Sequence, residues 1–185
     1  MATVWGNRSL PPRWWSRTRG LPIATYQSWL ESMRVHLGRQ ARILAWAGTP
    51  NGVCIGSPSL LSYGNESAWR HVGWHEIEHG GWNSETHKLS WSSYDGRREV
   101  IELAEPGRMP ELFRERVSAS IVAERFVPIA GERGVTVSGR RDLAGTSAVI
   151  TWHQTLGRGL SWNSGEVRTV ADAALAELQA EYGLL

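Results

Sequence analysis

With 185 residues, 41% of them hydrophobic and 21% charged, the chain has the makings of one packed domain with extensions. A single cysteine, Cys54, excludes a disulfide framework and a four-cysteine metal site. The formal charge of +2 is unevenly spread: residues 1–42 hold seven Arg and one Glu, a net +6, so an electrostatic partner belongs at the N-terminal end.

No apolar run reaches the ~18 residues of a membrane-spanning helix, and the N-terminus lacks a signal-peptide core. A cytoplasmic location is therefore expected. Eleven Trp stand against two Phe and four Tyr. Indoles must build the core, and exposed ones mark contact surfaces. Lys88 is the one lysine among twenty basic residues, a bias that GC-rich coding DNA explains without function.

Residues 1–24 show neither helical nor strand periodicity, and Pro11, Pro12, Gly20 and Pro22 break both, which predicts an extended arm. Its stretch Pro-Pro-Arg-Trp-Trp-Ser-Arg-Thr-Arg interleaves arginines with adjacent indoles. Thr25 is placed to cap a short helix over 26–38, with Tyr26, Trp29, Leu30, Met33 and Leu37 at three-and-four spacing and Gly38 at its end.

From 41 to 103 the pattern changes to short apolar runs between turns, which predicts an antiparallel meander of six or seven strands. Asp95-Gly96 is its best hairpin signal. Pro110 then opens a predicted helix over 110–125, with Leu112, Phe113, Val117, Ile121 and Val122 as one apolar stripe. Residues 126–155 return to strand texture, and 165–182 read as a final helix with Val167, Val170, Ala174, Leu175 and Leu178 on one side.

A meander closed by one amphipathic helix is the layout of a pleckstrin-homology-like (PH-like) roll. Leu44-Ala45-Trp46, Leu60-Leu61, Trp74 with Glu76-Ile77, Trp82, Leu89, Asp95-Gly96 and the helix around 114–122 carry the resemblance. Over 41–124 the chain resembles the bacterial PH-like and GRAM-like families, as in small actinobacterial proteins. The resemblance implies a binding or assembly module and supplies no catalytic residue. The expected architecture is α+β: an arm over 1–24, a helix and a PH-like β-roll with its closing helix over 25–125, and a β-hairpin plus helix over 126–185 packed on the same domain.

His75-Glu76-Ile77-Glu78-His79 fits H-E-x-x-H, which on a helix presents two zinc ligands with a Glu as general base. Gly73 and Gly80-Gly81 leave six residues between them, so a strand or one tight turn is expected instead. In a strand the two histidines would stand ~13 Å apart, too far for one zinc. The third ligand of the longer motif is missing as well, because Trp82 and Glu85 stand where Gly and His are required. A zinc-dependent hydrolase using His75 and His79, with Glu76 as base, is the alternative reading. A looser metal site would need the sheet to gather His71, His75, His79 and His87.

No nucleophile elbow, phosphate-binding loop or dinucleotide fingerprint is present. Cys54 lies in an apolar run, as a small core residue would. The first strand and turn, RILAWAGTPNG, carry one Arg and no Lys, so a basic phosphoinositide pocket is not supported. The expectation is a non-enzymatic, cofactor-free interaction module that binds a protein partner through Arg13, Trp14, Trp15, Arg17 and Arg19. Residues 1–20 could also meet nucleic acid or an anionic membrane surface, which would show as a steep loss of affinity with salt.

Overall fold

The computed structural model describes residues 20–37, 41–145 and 149–183. Most of the predicted arm, including Arg13, Trp14, Trp15, Arg17 and Arg19, lies outside these residues. The fold is α+β: three antiparallel sheets with helices packed against them.

Helix α1 spans Ile23–Leu37. It begins before Thr25, because Tyr26 N–H already donates to the Pro22 carbonyl at 2.9 Å. Thr25 is thus inside the helix and donates its hydroxyl to the Glu66 carboxylate rather than capping. Trp29 and Met33, from the predicted stripe, are fully buried.

The meander has seven strands, but it divides. Strands β1 (Ala45–Thr49), β2 (Gly52–Gly56), β3 (Leu60–Asn65) and β4 (Ala68–Gly73) form one sheet in sequential order. Strands β5 (Ile77–Asn83), β6 (Lys88–Ser93) and β7 (Arg98–Glu102) form a second. One 3₁₀ turn, Trp74–Glu76, joins the two sheets. Trp74 is fully buried and donates its indole N–H to the Ser57 carbonyl at 3.1 Å, so the crossover is pinned to the β2–β3 turn.

The first sheet is covered on both faces, which is why β2 and β3 bury adjacent residues rather than alternate ones. Ile55 and Leu60 face α1 together with Trp29, Met33, Leu21 and Ile43. Cys54 and Leu61 face the second sheet and helix α2, which spans Met109–Ser120. Phe113 of α2 is the central knob, its ring centroid 6.0 Å from both Trp74 and Trp91.

Two expectations fail after this point. The helix predicted over 110–125 stops at Ser120, and Ile121 opens strand β8 (Ile121–Ala130) with no intervening residue. Ile121 N–H still bonds back to the Ser118 carbonyl, but Ile121 and Val122 are β-branched, and Ile121 and Ala123 pair with β9 (Arg133–Arg141), with a bulge at Val122 between them. The predicted hairpin is in fact a three-stranded sheet, because β10 (Ile150–Leu156) adds to β9 on the other side. The boundary placed at 125/126 therefore falls inside β8. Helix α3 (Gly165–Gly183) buries Val167, Ala171, Ala174 and Leu178 on Val135 and Val137 of this third sheet.

Candidate functional site

Strand β5 is an edge of its sheet, and an edge offers backbone donors and acceptors to another chain. Its sequence Glu78-His79-Gly80-Gly81-Trp82 lines a groove of about 640 Å³. The opposite wall is α2, through Pro110, Glu111, Phe113, Arg114, Val117 and Ser118, and the start of β8 contributes Ile121 and Glu124. Gly80 sets its width. A Cβ on Gly80 would lie 2.7 Å from the Phe113 ring and from the Ser90 carbonyl oxygen, whereas one on Gly81 would meet nothing within 4 Å. Gly80 faces α2 and admits it, whereas Gly81, paired with the exposed Ser90, faces the other side of the sheet.

Arg140 of β9 also lines the groove, and it is 3% exposed. It ties all three walls together. One terminal nitrogen donates to the Val117 carbonyl at 3.1 Å and the Ser120 hydroxyl at 3.0 Å, both on α2. The other donates to the Glu78 carbonyl of β5 at 3.4 Å. Nε donates to the Tyr94 hydroxyl at 3.2 Å, and the guanidinium carbon lies 5.7 Å from the centre of the Tyr94 ring.

Behind this junction is a second cavity of about 470 Å³, lined in part by His75, Tyr94, Thr151 and His153. Tyr94 stacks on His153 with ring centroids 3.5 Å apart and planes 6° apart. Burial, reinforced by the Arg140 charge, lowers the His153 pKa, so its imidazole is held neutral.

The residues of the H-E-x-x-H alternative do not face one point. His75 and Glu76 sit in the 3₁₀ turn, and His79 lies in β5. His75 Nδ1 is 3.6 Å from an Asp142 carboxylate oxygen; Glu76 accepts from the Gly73 N–H at 2.8 Å; His79 Nε2 is 2.9 Å from the Ser92 hydroxyl. The one-turn helical spacing that this zinc reading requires is absent. His71 belongs to another cluster, against Ser62 and His36, while His87 lies beside Trp82. Among the described residues no group of three or more His, Cys, Asp or Glu could hold a metal ion.

Cys54 is fully buried, and burial pushes its thiol up to about 12, which makes it inert at neutral pH. Among the described residues no helix is long and apolar enough to cross a membrane. The groove was not anticipated from sequence. Its one legible signal was Gly80-Gly81, which reads in sequence as the end of the segment holding His75 and His79, although both glycines lie within β5. Compared with known proteins, the chain matches no family model, no curated protein and no solved structure.

Proposed function

We propose that the protein is a non-enzymatic interaction module whose partner adds an extended segment to the free edge of β5, in the groove between β5 and α2. One observation carries this reading: the edge strand β5 runs beside α2, and Trp82 of the strand with Phe113 and Val117 of the helix line the groove between them. Main-chain bonding along an edge supplies affinity, and pockets for alternate side chains supply specificity. A four-stranded and a three-stranded sheet closed by α2 support a PH-like roll as the scaffold. The arm residues Arg13, Trp14, Trp15, Arg17 and Arg19 provide a second contact, Trp through area and Arg through planar charged bonding.

The test is selection of a displayed library of random short peptides on the full-length protein. Bound peptides are expected to protect the amides of residues 77–83 from hydrogen exchange. Ser118 is exposed on the α2 wall of the groove, so Ser118→Trp is expected to fill the groove without unfolding the protein and to abolish binding. Peptides that bind Ser118→Trp equally well, or protect a different surface, would refute the reading.

A further inference from the structure

The floor of the groove holds a charge that its surroundings do not balance. Arg140 is nearly fully buried, and among the described residues no carboxylate forms an ion pair with it. Its acceptors are all neutral: two hydroxyls and two backbone carbonyls. They take four of the five guanidinium N–H groups and leave one on Nη2. Neutral acceptors and the face of Tyr94 offset part of the cost of burying a cation. They do not supply the opposite charge that buried ions ordinarily have.

We infer that the occupant of the groove carries a carboxylate that pairs with Arg140. This rests on the strand-addition reading and adds the chemistry of the partner: an extended peptide with one anionic group directed at the floor. The glutamates on the groove do not remove the need. Glu78 accepts from the Thr155 hydroxyl at 2.8 Å and has its other oxygen 3.6 Å from His79 Nδ1. Glu111 and Glu124 are exposed, where solvent and salt screen them more than a buried charge. They suit basic residues flanking the anionic one in the peptide.

The carboxylate can belong to an acidic side chain or to a chain terminus, and two libraries distinguish these sources. In one the random segment is fused at both ends, and in the other it ends in a free carboxylate. Selection on the full-length protein is expected to enrich an acidic residue at one fixed position in the first library, or to succeed only with the free terminus in the second. Converting that carboxylate to its amide in the best peptide is expected to weaken binding at least ~10-fold, the scale of a hydrogen bond to a charged group. Arg140→Met should erase the difference between acid and amide.

The peptide-side change leaves the folding of the protein untouched, so the inference stays testable if Arg140→Met fails to fold. Peptides that protect residues 77–83, lose binding on Ser118→Trp and bind equally as acid or amide would overturn this inference and leave the strand-addition reading standing. Failure to select any groove-binding peptide would overturn both.

Discussion

Gly80 and Gly81 are neighbours with opposite constraints. Gly80→Ala drives a methyl group to 2.7 Å from the Phe113 ring and a strand carbonyl, an overpacking expected to cost about 1–3 kcal/mol. Gly81→Ala meets nothing and should leave the urea midpoint close to wild type. Equal midpoints for the two variants would mean that Phe113 yields freely. His71 makes a separate prediction. Its Nδ1 is 2.9 Å from the Ser62 hydroxyl, which accepts from the Trp29 indole N–H and lies 3.7 Å from the Met33 sulfur. Burial, with His36 beside it, lowers the His71 pKa from 6.5 to about 4. Between these values the unfolded chain takes up a proton that the folded protein refuses. The resulting stability is complete above pH 6.5 and is lost as pH falls towards 4. A urea titration should show this slope, and His71→Gln should flatten it.

At the scale of elements, α1 depends on one indole. Trp29→Ala is expected to cost about 3–5 kcal/mol, because it opens the core under α1 and leaves the Ser62 hydroxyl without its donor. Calorimetry of the full chain checks this, and a loss under ~1 kcal/mol would mean that the helix adds little to the sheet it covers. Trp29 and Met33 of the α1 stripe, the strands of the meander other than β5, and α3 were legible in sequence, because their periodicity or turn chemistry is local. Asp95-Gly96 does form a turn, with Gly96 at φ +85°. The α2–β8 junction was not legible. Ile121 follows Val117 at helical spacing, no Gly or Pro intervenes, and only pairing with β9, residues away in sequence, decides the conformation. The split of the meander into two sheets was hidden too, since it turns on where Trp74 packs.

Over the whole molecule, the third sheet and α3 have a core of their own. They meet the rest through polar contacts, Arg140 to α2 and β5, Tyr94 to Ser138 at 3.1 Å and Thr155 to Glu78, and through the stack of Tyr94 on His153. Removing the two hydroxyls with Tyr94→Phe and Thr155→Val should raise hydrogen exchange in β8–β10 and α3 while β1–β4 stay protected. A uniform change throughout the chain would mean that the sheets unfold as one unit regardless of these bonds. The same long-range assembly explains why the groove escaped the sequence. Arg140 stands in an Arg-Arg pair that looks like ordinary solvated charge, and nothing local reveals that it reaches residues 23 and 62 positions away.

The passage from α2 to β8 has a mechanical meaning. Ile121 closes the helix by bonding to the Ser118 carbonyl and opens the strand by pairing with Arg140, whose guanidinium holds Val117 and Ser120. A segment wedged against α2 therefore pushes on the residue that starts β8. Amide exchange at the head of β8 should change on peptide capture together with that of β5, and the bulge at Val122 is where the disturbance should fade.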